Sequence, residues 1–256
     1  MIGIIGGTGV YDSNLLKEEE KLKLHTPYGS PSDLITLGKY LGKKVAFLPR
    51  HGNNHTIPPH KINWKANIQA FKDLGATKII ATAATGSLKE NYKPGEIVIV
   101  DQFIDLSKNV HTFYDEGQFY HVSLADPFCR KTNSMIIEEG KKLGIELKEK
   151  GTYIRIEGPQ FSTRAASNMY RQYADIIGMT GVPEAILARE KEICYSMIAT
   201  ITDYDVWADK PVNADEVVNR MKENLSKTKE ILKKIIPRIE ENDSCSCKKA
   251  LEGAKI

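Results

Sequence analysis

Short apolar runs rich in β-branched residues recur along this chain and alternate with stretches of helical periodicity. Such runs occupy residues 2–5, 44–48, 78–82, 97–100, 153–157 and 196–202. Continuous apolar strands bounded by turn signals are typical of a buried, largely parallel sheet. The pattern therefore predicts an α/β fold, and no other feature of the sequence restricts the architecture as strongly.

Helical patterns fill the intervals between these runs, over residues 63–74, 129–143, 162–173, 184–190 and 215–236. The last is long and amphipathic, and Pro237 gives it a natural end. We expect one domain over residues 1–239, followed by a polar, Lys-rich tail over residues 240–256 that contains a Cys-Ser-Cys motif.

Charge and hydropathy exclude some classes of function. The chain has 36 basic and 33 acidic residues, a balance too even for the concentrated basic face that nucleic-acid binding requires. We also expect no membrane span, because no apolar run approaches the length that a bilayer needs. The apolar N-terminal segment is interrupted by glycines, which is typical of a first strand rather than of a signal peptide. We therefore expect a cytoplasmic protein with no nucleic-acid or membrane partner.

A glycine-rich turn, GIIGGTG over residues 3–9, follows the first strand. Glycines let backbone N–H groups approach an anion closely, and the hydroxyl of Thr8 adds a donor, so a phosphate loop is one interpretation. A dinucleotide site is a second, although the GxGxxG spacing is not met cleanly. A plain tight turn is the third.

Arg50 and His51 stand directly after the second strand run. Ligands of open α/β sheets bind at the carboxyl ends of strands, and arginine offers a planar, charged fork to phosphate oxygens. A solvated loop is the alternative. A metal site built from His51, His55 and His60 is less favoured, because no Cys or acidic partner lies nearby and closed sites normally need four ligands.

Asp203 and Asp205 follow the last strand run. In an extended segment these two residues face the same side, and two close carboxylates raise one pKa, so that one stays protonated. A protonated carboxyl donates a hydrogen bond to N7 of an adenine, and an ionised one accepts from its 6-amino group. An exposed, capped turn is the alternative interpretation.

Taken together, these segments resemble the purine nucleoside phosphorylase family, in its methylthioadenosine phosphorylase branch. The likeness covers residues 1–239 and implies a three-layer αβα fold with a mixed, largely parallel central sheet. The tail motif resembles an archaeal, heat-stable subgroup. The segments that carry the resemblance are IGIIGGTGV, TPYGSPSDLITLGK, FLPRHGNNHTIPPHKINWKANIQA, GSLKENYKPGEIVIVDQFIDLSK, HVSLADPFC, GTYIRIEGPQFSTRA, IIGMTGVPEAILARE and ITDYDVW.

The resemblance implies phosphorolysis of 5'-methylthioadenosine, with inorganic phosphate as co-substrate and no metal or organic cofactor. The implied phosphate site comprises Thr8, Arg50, His51, Ala83, Ala84 and Thr180. The implied nucleoside site comprises Phe161, Ser162, Met179, Asp203, Asp205, His55, Thr202, Ala214, Val218 and, from a neighbouring subunit, His121. The implied catalytic residues are Asp203, Asp205 and Arg50. The role of His121 implies a homo-oligomer, a trimer or a pair of trimers.

Three positions depart from the family pattern. Ala83 stands where a hydroxyl residue usually binds phosphate, which predicts weaker phosphate affinity. Gln160 and Ala166 replace an Arg and a Glu, and we interpret this double loss as mutual compensation of an ion pair. A broader phosphorylase acting on adenosine, inosine or guanosine is the alternative function, and an inactive nucleoside-binding protein is a more remote one.

The chain has four cysteines, Cys129, Cys194, Cys245 and Cys247. Cys245 and Cys247 alone are too few for a zinc site, and a disulfide between them would be strained. A Cys129–Cys194 disulfide would close a long loop and stabilise the fold. Four idle thiols are the alternative, because connectivity cannot be read from sequence.

Overall fold

In a computed structural model that describes residues 1–7, 16–208, 214–240 and 244–255, the chain folds around one continuous sheet. The strands are β1 Ile2–Gly6, β2 Lys17–Leu22, β3 Ile35–Tyr40, β4 Lys43–Pro49, β5 Lys78–Ser87, β6 Ile97–Ile99, β7 Gln102–Asp105, β8 Leu147–Lys148, β9 Thr152–Arg155, β10 Ile176–Gly178 and β11 Cys194–Asp203. The helices are α1 Trp64–Asp73, α2 Arg130–Lys142, α3 Arg164–Tyr170, α4 Gly181–Glu190 and α5 Ala214–Ile235.

The sheet branches at the central strand β5, which is as long as β11. This strand pairs in parallel with β1 on one side and β11 on the other. Its last residues, Gly86 and Ser87, pair antiparallel with β10. Since β4 is also parallel to β1, the carboxyl ends of β1, β4, β5 and β11 meet at one edge of the sheet. The mixed, mostly parallel α/β sheet expected from the sequence is confirmed.

Helices cover both faces of the sheet, and the strand side chains alternate between them. Ile5 of β1 packs in the cluster that holds Phe71 of α1 and Leu187 of α4. Ile4 packs in the opposite cluster, with Ile235 of α5. Complete burial of each such side chain stabilises the fold by about 1.5–3 kcal/mol. None of the described helices is long and apolar enough to cross a membrane.

The helix boundaries differ from the sequence prediction at α3 and α4. Helix α3 ends at Tyr170, three residues before the predicted end, and Thr163 caps its start by accepting a hydrogen bond from the N–H of Ala166. Helix α4 begins at Gly181, three residues early. Pro183 is compatible with this start, because the first turn of a helix needs no N–H donor there.

Candidate active site

A cavity of about 270 Å³ opens at the edge of the sheet where β4, β5 and β11 end. Its walls come from strand ends, from the loop after β9 and from the start of α4. The predicted site residues that line it are Arg50, His51, His55, Ala83, Ala84, Phe161, Met179, Thr180, Thr202, Asp203 and Asp205. The parallel strands bring these residues together, although they are widely separated in sequence.

Arg50 lies at one end of the cavity and is 1% exposed. Its Nε and Nη2 donate to the carboxylate of Glu184 at 2.5 and 2.9 Å, and its Nη1 donates to the carbonyl of Thr82 at 2.7 Å. Burial disfavours the charged guanidinium, but the charge of Glu184 and its hydrogen bonds with Arg50 together have the larger effect. The pKa of Arg50 is therefore raised. Three of the five N–H groups are thereby used. One N–H on each terminal nitrogen is left for an anion in the cavity.

His51 is neutral at physiological pH. Burial and the adjacent charge of Arg50 lower the pKa of His51 from 6.5 to about 4. Its Nδ1 lies 2.9 Å from the carbonyl of Ile57, which can only accept, so Nδ1 carries the ring proton. Nε2 is left as an acceptor. The ring stacks on that of His55 with centroids 4.2 Å apart.

Thr180 caps the N-terminus of α4 at the cavity wall. Its backbone N–H donates to the buried hydroxyl of Tyr153 at 3.0 Å. The Thr180 side chain forms no capping hydrogen bond with the helix. A helix N-terminus with free donors favours anions, because its backbone dipoles present partial positive charge. This end of the cavity therefore suits a phosphate.

Asp203 and Asp205 line the other part of the cavity, but not by the extended geometry that the sequence predicted. Strand β11 ends at Asp203, and Asp205 begins a short 3-10 turn with a left-handed φ of 51°. Its N–H donates to Oδ1 of Asp203 at 2.8 Å. The turn, rather than strand alternation, brings both carboxyl groups to the cavity, and Gly86 provides the space beside them.

Both carboxyl groups have raised pKa values. Burial is the main cause at Asp203, and the charge of Asp205 adds to it. Burial also raises the pKa of Asp205, opposed by a hydrogen bond from the Ser167 hydroxyl. The hydroxyl of Thr202 contacts two acceptors, the carbonyl of Thr85 at 3.2 Å and Oδ2 of Asp203 at 2.7 Å. The shorter contact is a hydrogen bond from Thr202 to the Asp203 carboxylate, which lowers the pKa of Asp203 and opposes the effect of burial.

The remaining predicted site residues lie elsewhere. His121 is exposed beside Phe119 and is not part of this chain's cavity wall. Ser162 is not part of the wall either, and its buried Oγ has no hydrogen-bond partner among the described residues. Thr8 lies outside the described residues. So do the side chains of Ala214 and Val218, although both positions belong to α5.

Several other residues of the cavity wall are not predicted from the sequence. Thr200 faces the cavity because it lies two residues before Thr202 on β11, a spacing that strand alternation could have revealed. Leu225 and Thr228 reach the cavity from α5. No local signal marks those two, because their position depends on how α5 packs across the sheet.

Comparison with known proteins identifies relatives of this chain. The family model described as "Phosphorylase superfamily" matches residues 1–237. The S-methyl-5'-thioadenosine phosphorylase of Thermofilum pendens is 54% identical, over 100% of this chain and 98% of that protein.

Solved structures are similar over the same length. A methylthioadenosine phosphorylase from an antarctic soil metagenomic library superposes with a TM-score of 0.94 at 42% identity, covering 100% of this chain and 92% of that one. The methylthioadenosine phosphorylase of Schistosoma mansoni, in complex with adenine, superposes with a TM-score of 0.93 at 33% identity, covering 99% of this chain and 98% of that one.

Proposed function

The chain belongs to the phosphorylase superfamily, and on that premise we propose that it splits 5'-methylthioadenosine with inorganic phosphate. The products are adenine and 5-methylthioribose 1-phosphate. One observation carries the proposal: a single cavity has anion-binding donors at Arg50 and Thr180 and a pair of carboxyl groups at Asp203 and Asp205. A nucleoside placed between them presents its anomeric carbon to the phosphate and its base to the carboxyl groups.

Phosphate binds between Arg50, His51, Thr180 and the backbone of Ala84. The free N–H groups of Arg50 and the N-terminus of α4 hold its charged oxygens. The unprotonated Nε2 of neutral His51 accepts a hydrogen bond from a protonated phosphate oxygen. Phosphate then attacks the anomeric carbon as the glycosidic bond lengthens, and its negative charge stabilises the oxocarbenium character of the ribosyl group.

Asp203 acts as the general acid. Burial raises its pKa and so favours the protonated form, whose proton goes to N7 of the departing adenine. The base therefore leaves as a neutral molecule rather than as an anion. Asp205 accepts from the 6-amino group, while Phe161 presents an aromatic face to the ring and Met179 lies against the ribose.

The two carboxyl groups favour a 6-aminopurine. A 6-oxopurine presents a hydrogen-bond acceptor, O6, at position 6. An ionised carboxylate repels this oxygen, whereas an amide N–H would donate a hydrogen bond to it. A protonated Asp203 can still donate to such an acceptor, and this keeps inosine and guanosine as the second candidate substrates. The 5' pocket is assigned to His55, Thr202, Ala214 and Val218, whose two aliphatic members suit a methylthio group.

The test is cleavage of methylthioadenosine, adenosine and inosine side by side, with and without phosphate, followed by release of free base. We expect the largest kcat/KM for methylthioadenosine and no turnover without phosphate. Faster cleavage of inosine would favour the broader phosphorylase. Nucleoside binding with no phosphate-dependent cleavage would contradict any catalytic assignment.

We further propose that the chain works as a homo-oligomer, a trimer or a pair of trimers, in the cytoplasm. His121 lies exposed outside its own chain's cavity, with its ring against that of Phe119, which is itself exposed. In an oligomer it would complete a neighbour's 5' pocket. Mixing His121→Ala with Asp203→Ala chains tests this, because mixed oligomers contain some intact sites and regain activity only if the site is shared.

A further inference from the structure

Tyr153 is a completely buried tyrosine of β9 that the proposed reaction does not use. Its ring packs in the cluster that holds Val182 and Leu187 of α4. Its hydroxyl oxygen accepts a hydrogen bond from the backbone N–H of Thr180 at 3.0 Å. Since Thr180 lines the cavity and is the N-cap residue of α4, the phenol lies directly behind the wall that we assign to phosphate.

The Tyr153 hydroxyl reaches α4 because residue 178 has no side chain. A Cβ built on Gly178 would lie 2.3 Å from the phenol oxygen, a distance that non-bonded atoms do not adopt. Gly178 is the last residue of β10, which pairs in parallel with β9. The glycine therefore lets a side chain of β9 reach across β10 to the start of α4.

The phenol caps the N-terminus of α4 from another element of the fold. The first N–H groups of a helix have no partner within the helix, and the side chain of the N-cap residue usually accepts from one of them. The hydroxyl of Thr180 does not do so. The N–H groups of Thr180 and Gly181 instead form hydrogen bonds with the oxygen of Tyr153, and the Thr180 side chain forms a third.

Tyr153 keeps its proton. Burial raises the pKa of its hydroxyl, and the hydrogen bonds from Thr180 and Gly181 and the charge of Arg50 lower it by less. A neutral phenol has one proton to donate and two lone pairs that accept. Because the two backbone N–H groups occupy the lone pairs, the proton is directed to the third contact, Oγ1 of Thr180.

This arrangement determines what Thr180 offers to the cavity. Its Oγ1 accepts from Tyr153, so its own proton is left for a molecule in the cavity that its residue lines. Phosphate oxygens are mainly acceptors, and a hydroxyl that is held as a donor suits them. The chain of hydrogen bonds from α4 through Tyr153 also extends the partial positive charge of the helix N-terminus toward the anion.

We propose that Tyr153 is a positioning residue for phosphate: its hydroxyl donates to Thr180, and the hydroxyl of Thr180 donates to the bound phosphate. The inference rests on the proposed function for the identity of the anion. Tyr153 does not touch phosphate itself, since it is not part of the cavity wall.

The first experiment measures KM for phosphate in Tyr153→Phe. We expect an increase of about ten-fold, because a donor to a charged group is lost, with KM for methylthioadenosine near the wild-type value. Tyr92→Phe is the matched control, since it removes a hydroxyl that donates to the carbonyl of Lys150 at 3.1 Å, outside the cavity. It should leave both KM values unchanged. A lower Tm with an unchanged phosphate KM in Tyr153→Phe would reduce Tyr153 to a helix cap and overturn the proposal.

Variants of Thr180 test the second step. Thr180→Ser keeps the hydroxyl and should keep the phosphate KM, whereas Thr180→Val should raise it by about ten-fold. Adding Tyr153→Phe to Thr180→Val should raise it little further, because the two residues act through one donor. Equal phosphate KM values in the Ser and Val variants, or effects that multiply in the double variant, would overturn the proposal.

Calorimetric titration with inorganic phosphate separates this inference from the proposed function, because it needs no nucleoside. Binding that is weaker by about ten-fold in Tyr153→Phe supports the positioning role even if the wild type cleaves no methylthioadenosine. That result would contradict the proposed function alone. A wild type that binds no phosphate would overturn both.

Discussion

The carboxylate of Glu184 holds the side chain of Arg50 by two hydrogen bonds, and both groups are almost completely buried. The hydroxyl of Tyr195 donates to the same carboxylate at 2.7 Å. Glu184 therefore orients the guanidinium while neutralising much of its charge. This arrangement suits the proposed turnover, because phosphate would meet aligned donors without being held by a full unpaired charge.

Glu184→Gln should destabilise the protein by about 3 kcal/mol or more, because it leaves Arg50 charged, buried and unpaired. Phosphate would supply the missing negative charge, so phosphate should raise Tm more in this variant than in the wild type. Thermal unfolding with and without phosphate measures the difference. Glu190→Gln is the matched control, a buried carboxylate of α4 that accepts from Thr112. Equal phosphate increments in both variants would contradict the prediction.

Asp203→Asn should lower kcat/KM for methylthioadenosine by about ten- to hundred-fold, because an amide cannot protonate N7. It should raise kcat/KM for inosine relative to that for methylthioadenosine, because an amide can donate a hydrogen bond to O6. In the wild type, the protonated acid is the active form, so activity should fall as pH rises through the raised pKa of Asp203. This fall should be absent in the variant. An unchanged pH profile would remove Asp203 from the role of acid.

Ala83→Ser should tighten phosphate binding. Ala83 lines the cavity on β5, and a hydroxyl hydrogen bond to a charged group is worth about 1.5–3 kcal/mol. We expect the KM for phosphate to fall by about ten-fold or more, with the KM for methylthioadenosine unchanged. Initial rates over a range of phosphate concentrations measure this. A decrease in nucleoside KM instead would show that residue 83 faces the sugar.

His51 should make the protein less stable in acid. Its folded pKa of about 4 lies below the ordinary value of 6.5, so the unfolded chain binds the proton first as pH falls. Stability is therefore lost from pH 6.5 downward, by about 2–3 kcal/mol on reaching pH 4.5. Urea unfolding of His51→Asn should show a smaller acid loss than the wild type, whereas His60→Asn, an exposed control, should not differ from it.

Ala166→Glu should stabilise α3 by about 0.5–1 kcal/mol. Thr163 already caps this helix, and a Glu at residue 166 would complete the reciprocal capping box.

The structure does not support the proposed compensation between residues 160 and 166. Gln160 is exposed, so Gln160→Arg alone should change the free energy of unfolding little, since an exposed charge needs no partner. Denaturant unfolding of both single variants tests these expectations.

The sequence was informative where the side-chain pattern is local. Buried strands such as β5 and β11 are continuous apolar runs, and the rule that ligands bind at strand carboxyl ends places Arg50, Ala83 and Asp203 at one edge. Five strands, β2, β3, β7, β8 and β10, lie outside the predicted runs. The sequence of β2, KEEEKL, carries charge on both faces, and β8 and β10 have only two and three residues.

Relationships across long separations were not predictable. Glu184 lies 134 residues from Arg50, and no spacing rule joins them. Cys129 and Cys245, whose sulfurs lie 3.7 Å apart, are likewise separated by 116 positions. The left-handed turn at Asp205 is set by its contacts with Asp203 and Ser167, since a non-glycine residue rarely adopts that backbone conformation.

Strand β5 borders both halves of the proposed site. Ala83 and Ala84 line the end of the cavity that we assign to phosphate, and Gly86 lies beside the carboxyl groups, so about 10 Å of one strand spans the two. β5 is hydrogen-bonded on both sides, to β1 and β11. The spacing between the two proposed subsites is thus set by the backbone of one strand that is held on both sides, rather than by the packing of the surrounding helices.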